Sequence, residues 1–324
     1  MKKVIYEEFG NPAEVLKVVE APQAALGEGE ARAEVLRAPI NPSDLIQVAG
    51  EYGVKPQLPA VAGNEGLGRI VEVNGGGLEV GQLVLLPAGR GTWVTEVAAP
   101  AAQFVPLPEG DLDQLSMLMV NPATAWLLLE QFVTLQPGDW VIQSAANSGV
   151  GGYVVQLCKA RGINLVNVVR RESAIAGLKE MGAEHVLVDG PDLAARVRQA
   201  TGAKMNLALD AVAGETFGRL GETLERGGTL VNYGAMSMQP CEMIAGSLIF
   251  RDIRVRGFWL VNWFESATKQ ERLETYGALT QMVLKGELFA PIDRHFTLDE
   301  IREAAAYTWK GERSGKVLVA PNGV

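Results

Sequence analysis

The 324-residue sequence predicts an α/β protein of two domains, one β-rich and one built on a doubly wound parallel sheet. Three observations carry that expectation. From Glu30 to Val105, short β-branched runs are separated by Gly and Pro, the pattern of a barrel-like β domain. From residue 119 to 262, strand-like runs alternate with helical ones, which implies a parallel sheet covered on both faces. The tail from residue 270 holds too few elements for a domain of its own, so it is expected to complete the first one.

Each element has its own signal. In the β-rich part the expected strands are Ala31–Arg37, Gly68–Val73, Gln82–Leu86 and Trp93–Ala98, with loops marked by Leu58-Pro59 and Asn74-Gly75. Residues 111 to 118 and 123 to 133 have helical apolar spacing, with a break or cap at Asn121-Pro122. The turn Pro137-Gly138-Asp139 leads into a strand Trp140–Ser144, and Val150–Arg161 is a helix closed by Gly162. Strands follow at Asn164–Val169, His185–Val188, Met205–Val212 and Thr229–Tyr233. Helices are expected at Ser173–Met181, Leu193–Thr201 and Thr216–Leu224, and an edge strand at Ile253–Phe258. The tail reads as a helix near Glu271–Lys285, a strand Arg294–Phe296, a helix Leu298–Trp309 capped by Thr297, and a last strand Lys316–Val319. The expected domains are therefore residues 1–118 with 270–324, and residues 119–269.

Composition excludes several classes. Lys and Arg number 29 against 38 Asp and Glu, a net charge of −9. With no dense basic stripe, nucleic acid is not an expected partner. The longest uncharged stretch, Gln114 to Leu129, is short for a membrane span and is interrupted by Asn121 and Pro122. Residues 1–10 turn acidic at Glu7 and Glu8 without the apolar run of a secretion signal, so a cytoplasmic location is expected. Two cysteines, Cys158 and Cys241, and two histidines, His185 and His295, supply neither a disulfide framework nor a clustered zinc set. Cys158 lies in an apolar helical pattern that reads as a buried thiol, and His295 reads as non-catalytic.

The loop after Trp140–Ser144 runs Ser144-Ala145-Ala146-Asn147-Ser148-Gly149-Val150-Gly151-Gly152. A dinucleotide loop needs small residues so that its turn can approach a pyrophosphate over a helix N-terminus. Ala146, Ser148 and Gly151 hold those positions here, so by identity only one of three is glycine. The strand–turn–helix order points to a nucleotide, against the plainer reading of a tight turn without ligand. The next strand ends in Arg170-Arg171-Glu172. Two arginines at that tip suit a 2′-phosphate and favour NADPH. The competing reading leaves both arginines solvated and gives the ribose to Glu172.

Three segments in the first domain, Asn41-Pro42-Ser43-Asp44, Gly50-Glu51-Tyr52-Gly53 and Gly63-Asn64-Glu65-Gly66-Leu67-Gly68, resemble the medium-chain dehydrogenase/reductase superfamily. The resemblance covers essentially the whole chain and implies a GroES-like catalytic domain with a Rossmann cofactor domain. In that superfamily's zinc-dependent alcohol dehydrogenases a Cys and a Gly-His-Glu motif bring zinc. Here Asn41 lies in the region of that Cys and Asn64 stands in place of the His, which implies a zinc-free reductase with no metal. Tyr52, the loop from Ala146 to Gly151, and the stretches Tyr233–Ser237, Leu248–Asp252 and Arg256–Leu260 with Trp263 resemble the mitochondrial-type 2-enoyl thioester reductases. Quinone oxidoreductases are the next resemblance.

That resemblance implies roles. Tyr52 is the expected catalytic residue, as proton donor or as the group that positions a donating water. Asn121 is implied near the nicotinamide, and Asn147, Ser148, Gly149 and Val150 around the pyrophosphate. Arg170 and Arg171, with Glu172 beside them, are implied at the 2′-phosphate. Tyr233, Gly234, Ala235 and Met236 would lie against the cofactor, Phe258, Trp259 and Leu260 near the nicotinamide, and Lys316 at the cleft. Thr124 serves either the carboxamide or helix packing, and Asn41 joins the cofactor set although Asn41 and Asp44 are also good turn formers around Pro42. Glu65 has a structural alternative.

The implied reaction is NADPH-dependent reduction of the 2,3 double bond of a trans-2-enoyl thioester, carried by coenzyme A or by acyl carrier protein. Hydride goes to Cβ and a proton to Cα, while hydrogen bonds meet the enolate charge. A phenol, with an unperturbed pKa of about 10, suits a donor at neutral pH. The alternatives are a zinc-independent quinone, alkenal or enone reductase, and a binding-only member that holds NADPH without turnover. The edge strand Ile253–Phe258 needs cover, and the superfamily's habit of joining such edges implies a homodimer.

Overall fold

A ten-residue strand, Glu30–Pro39, organises the β-rich part of the molecule. Its inward residues Ala31, Ala33, Val35 and Ala38 are fully buried, and mostly small side chains let flanking strands pack closely. Leu67–Val73 and Glu96–Pro100 both pair with it antiparallel. The computed structural model describes residues 1–311 and 313–323. Its seven-stranded sheet runs Ile292–Phe296, Lys316–Val319, Glu30–Pro39, Leu67–Val73, Leu83–Leu85, Val105–Leu107, with Glu96–Pro100 alongside Glu30–Pro39. The two tail strands pair parallel with each other, and Leu318 and Val319 then pair antiparallel with Pro39 and Ala38. A smaller sheet joins Lys17–Glu20, Lys2–Tyr6 and Ala60–Val61. Trp93 and Tyr6 are the largest fully buried side chains of this core.

The second sheet is parallel throughout. Its strands in chain order are Trp140–Gln143, Asn164–Val169, His185–Val188, Met205–Asp210, Leu224–Asn232 and Arg254–Gly257. In space they lie third, second, first, fourth, fifth, sixth, so the winding reverses between the first and fourth. That reversal opens a crevice at the strands' carboxyl ends, where such sheets bind ligands. β-branched and leucine-rich runs such as Asn164–Val169 suit strands covered on both faces, and five of its six residues are buried. The first crossover helix, Gly149–Arg161, ends where Gly162 turns left-handed at φ 65°, with Lys159 and Arg161 in its last turn favourable to the helix dipole.

The molecule divides into Met1–Val120 with Thr280–Val324, and Asn121–Leu279. The boundaries read from sequence were earlier, at 118/119 and 269/270. Val120 stays with the first unit because its N–H is held by Glu65 Oε2 at 2.9 Å. The second boundary falls inside the helix Lys269–Leu284, whose end packs with the first unit: a Cβ placed on Gly110 would lie 2.7 Å from Leu284.

Several expectations shift. The strand expected at Trp93–Ala98 is Glu96–Pro100, with Val94 making an isolated bridge to Lys3. The strand expected to Val212 stops at Asp210, whose carboxylate takes the next N–H groups. Asn41-Pro42 opens a helix, Pro42–Ala49, instead of a simple turn. The helices Ala245–Arg251 and Leu260–Ser266 had no sequence signal, because their apolar residues do not form a buried stripe. The edge strand is where the sequence placed it, trimmed to Arg254–Gly257 and exposed along its length.

Candidate active site

Two sets of residues form, one in each unit. In the first unit, Pro42 suits the first turn of its helix because it lacks the N–H that would go unpaired there. The Asn41 N–H donates to Asp44 Oδ2 at 2.7 Å. The helix ends at Gly50, left-handed at φ 81°, where a Cβ would stand 2.9 Å from Phe9. Only two residues further on comes Tyr52, half-buried in the bend.

The start of the same helix sits on a buried polar cluster. Lys316 Nζ donates to Asn41 Oδ1 at 2.5 Å, and Asn41 Nδ2 donates to Glu65 Oε1 at 2.6 Å. Asn64 Nδ2 donates to Asp44 Oδ1 at 2.6 Å and to Gln47 Oε1 at 3.3 Å. Asn41, Asp44, Glu65 and Lys316 are all buried. Burial pushes the Asp44 carboxyl up to about 6, against the opposing pull of Asn41, Asn64 and the Lys316 charge. Burial likewise raises Glu65 and lowers Lys316, while each one's charge favours ionisation of the other. The two asparagines at the positions compared with a zinc-binding Cys and His therefore hold carboxylates. Among the described residues, no three His, Cys, Asp or Glu side chains converge as a metal site.

In the second unit, the loop after Trp140–Gln143 meets the end of Met205–Asp210. Ser144 Oγ donates to Asp210 Oδ1 at 2.7 Å and accepts from the Ala211 N–H at 2.9 Å. Asp210 also accepts from the N–H groups of Val212 and Ala213 at 3.0 and 2.8 Å and from Asn232 Nδ2 at 2.9 Å. Ala145 is left-handed at φ 47°, a strained conformation for a residue with a Cβ. Ser148 caps the helix by accepting from the Gly151 N–H at 3.1 Å. A Cβ on Gly151 would fall 2.4 Å from the Ala146 carbonyl oxygen, so only glycine lets loop and helix approach this closely.

These features fit a dinucleotide. The loop is small and backbone-lined, and it feeds a 13-residue helix whose first residues, Gly149 and Val150, are half-buried beside exposed Asn147. Arg170, Arg171 and Glu172 are exposed just beyond the second strand, and neither arginine forms an ion pair among the described residues. Exposed guanidinium groups at a strand tip are chemically suited to pair with a phosphate. Tyr233 buries its hydroxyl beside Ser148, and burial, reinforced by the Asp210 charge, holds that phenol well above its ordinary range. Gly234 lies against Ala211, where a Cβ would be 2.9 Å from its carbonyl oxygen, while Ala235 and Met236 are exposed.

The remaining predicted residues are also placed. Asn121 and Thr124 are buried in the helix Asn121–Glu130. Phe258 follows the edge strand, and its ring meets Phe132 edge-on at 6.1 Å. Trp259 caps the helix that Leu260 begins, and both are half-buried. Asn41 and Lys316 are brought together with each other and with Glu65. Asp44, Ser144 and Asp210 were missed as site residues. A lone acid in an uncharged run, as at Asp44, or at the end of an apolar strand, as at Asp210, is the signal that marks the two acids, and Ser144 carries none. His295 Nε2 lies 2.9 Å from Asp113, an acid also bound to Arg37.

Comparison with known families decides the affiliation. Residues 27–109 match the alcohol dehydrogenase GroES-like domain, and residues 149–276 match the zinc-binding dehydrogenase family. The human mitochondrial enoyl-[acyl-carrier-protein] reductase is 37% identical over 98% of this chain and 88% of its own length. The chain belongs to the medium-chain dehydrogenase/reductase superfamily. A similar enoyl-[acyl-carrier-protein] reductase, from Dictyostelium discoideum, is 37% identical over 88% of this reductase and 85% of its own length. Among solved structures, a putative NADPH:quinone reductase from Bacillus thuringiensis aligns at TM-score 0.90 with 27% identity, covering 98% of both chains. An Etr1p/NADP/crotonyl-CoA complex aligns at TM-score 0.87 with 26% identity, covering 98% of this chain and 99% of that one. The GroES-like and Rossmann architecture is thus that of the superfamily, and Asn41 and Asn64 both fall within the GroES-like match.

Proposed function

We propose that this oxidoreductase reduces the 2,3 double bond of trans-2-enoyl thioesters with NADPH. The observation that carries the reading is the 37% identity to an enoyl-[acyl-carrier-protein] reductase over 98% of the chain. The solved complex of Etr1p with NADP and crotonyl-CoA supports both the cofactor and the substrate class.

NADPH supplies the hydride that adds to Cβ of the substrate. The chain's own groups do the rest. Gly149 and Val150 offer N–H groups at the helix N-terminus to the pyrophosphate, with Asn147 and Ser148 in the same turn. Arg170 and Arg171 pair with the 2′-phosphate, with Glu172 beside them. Asn121, Thr124, the turn from Tyr233 to Met236, and Phe258 to Leu260 orient the cofactor. As charge develops on the thioester oxygen, a proton must reach Cα. The Tyr52 phenol is the proposed donor, directly or through a water it holds. The leaving proton passes from oxygen to carbon, and solvent reprotonates the phenolate. The carrier is coenzyme A or acyl carrier protein.

The test compares wild type with Tyr52→Phe on crotonyl thioester and on a small quinone. Thioester turnover that drops by at least about tenfold in the variant, with poor quinone reduction, is expected. Quinone turnover indifferent to the substitution, with no thioester reduction, would overturn the reading. It would favour the second one, a zinc-independent quinone or enone reductase, which rests on the TM-score of 0.90 to a putative quinone reductase.

The assembly is proposed to be a homodimer. Arg254–Gly257 offers an open, exposed strand edge, and the neighbouring helix exposes Ile249 and Phe250, 70% and 76% accessible. Both features need cover in a stable protein. Light scattering is expected to report a dimer, and Phe250→Arg to yield monomer; a wild-type monomer defeats the proposal.

A further inference from the structure

We infer that the buried chain Lys316–Asn41–Glu65 is a positioning device for Tyr52, acting through the helix Pro42–Ala49 that it anchors. The inference rests on the reading of Tyr52 as proton donor.

The helix has eight residues and two fixed ends. At its start, the Asn41 side chain is gripped from both sides: its Oδ1 accepts from Lys316 Nζ at 2.5 Å, and its Nδ2 donates to Glu65 Oε1 at 2.6 Å. The other Glu65 oxygen is held by the Val120 N–H at 2.9 Å, and the Glu65 carbonyl accepts from Thr92 Oγ1 at 2.8 Å. Glu65 is therefore a fixed post. Asp44, one turn into the helix, is tied to the Asn41 backbone and to Asn64, the residue preceding Glu65. At the other end, the left-handed Gly50 packs on Phe9 and turns the chain into Tyr52. A short helix locked at one end transmits its orientation to the other, and a donor misplaced by about 1 Å can lose about a hundredfold in rate.

Burial explains why such a costly arrangement is informative. Lys316 and Glu65 are nearly or wholly inaccessible, and an isolated charge there would be strongly unfavourable. The ammonium spends one of its N–H donors on Asn41, which in turn spends its own on Glu65. Lys316 lies on the strand Lys316–Val319, Asn41 opens the helix and Glu65 precedes the strand Leu67–Val73. The three residues thus join three separate elements at the start of the helix Pro42–Ala49.

The experiment uses the full-length enzyme with NADPH and crotonyl thioester. For Lys316→Met, kcat is expected to fall at least about tenfold while the NADPH Kd, read by nucleotide fluorescence, stays within about threefold. Lys316→Arg should recover most of kcat, and Tyr52→Phe/Lys316→Met should be no slower than Tyr52→Phe alone, because both losses pass through the phenol. Additive losses in the double variant, or an NADPH Kd that weakens in step with kcat, would overturn the inference and make Lys316 a cofactor ligand. If Lys316→Met does not fold, the same comparisons are made with Glu65→Gln, which keeps the shape and removes the charge. A Tyr52→Phe enzyme as fast as wild type sinks the donor role itself and this inference with it, whereas a slow Tyr52→Phe beside a fast Lys316→Met sinks the positioning role alone.

Discussion

Ser144 Oγ donates a hydrogen bond to Asp210 Oδ1 at 2.7 Å, joining the carboxyl ends of the first and fourth strands of the parallel sheet where the winding reverses. The same oxygen accepts from the Ala211 N–H. One side chain thus satisfies a buried carboxylate and the buried amide next to it at the end of the neighbouring strand.

Ser144→Ala removes both bonds without changing the strand. Chemical denaturation is expected to show a loss of about 1–3 kcal/mol, the usual cost of stranding buried polar groups. NADPH affinity should weaken as well, since both loops flank the proposed cofactor crevice. Unchanged stability would mean that water replaces the hydroxyl.

Gly151→Ala places a methyl 2.4 Å from the Ala146 carbonyl oxygen, and that neighbour is backbone with little room to yield. The expected cost is about 1–3 kcal/mol, as for overpacking elsewhere, together with poor NADPH binding in a fluorescence titration. Ala145→Gly should act in the opposite sense on stability, because glycine adopts the left-handed region at φ 47° without a Cβ penalty.

Arg170→Ala/Arg171→Ala is predicted to change cofactor choice and leave the fold intact, since both side chains are exposed. Losing two charged partners of a 2′-phosphate should raise the NADPH Kd at least about tenfold and leave NADH nearly unaffected. Equal weakening of both cofactors would reassign the arginines.

Asp44 gives a pH prediction with a definite sign. Its folded pKa of about 6 exceeds the ordinary 3.8, so the proton is bound more tightly in the folded chain. The protonated form favours folding fully below 3.8, and that contribution is lost as pH rises through about 6. Relative to Asp44→Asn, wild-type stability should therefore fall by up to about 3 kcal/mol between pH 4 and 7. Urea unfolding of both proteins across that range measures the difference. A constant gap would show that folding leaves the Asp44 pKa unshifted.

What could be read in the sequence was mostly local. Asn164–Val169, His185–Val188 and Leu193–Thr201 match their predicted bounds because period and punctuation both sit inside the segment. Pro42–Ala49 was obscured because Asn-Pro serves equally as a turn and as a helix start, and the deciding partner, Glu65, is far along the chain. Ala245–Arg251 gave no signal because it turns apolar residues outward. Tyr52 and the nucleotide loop were visible by resemblance. The grip of Lys316 on Asn41 was not, since nothing near either residue announces the other.

Lys316 also imposes an order on synthesis. The strand that carries it, Lys316–Val319, is made only after the whole unit Asn121–Leu279 has emerged, yet it pairs with Glu30–Pro39. The cofactor-binding unit is contiguous and can fold as soon as it leaves the ribosome, whereas the β-rich unit must wait with an open sheet edge. A nascent chain stalled before Lys316 would thus hold a finished nucleotide fold beside a half-built catalytic one.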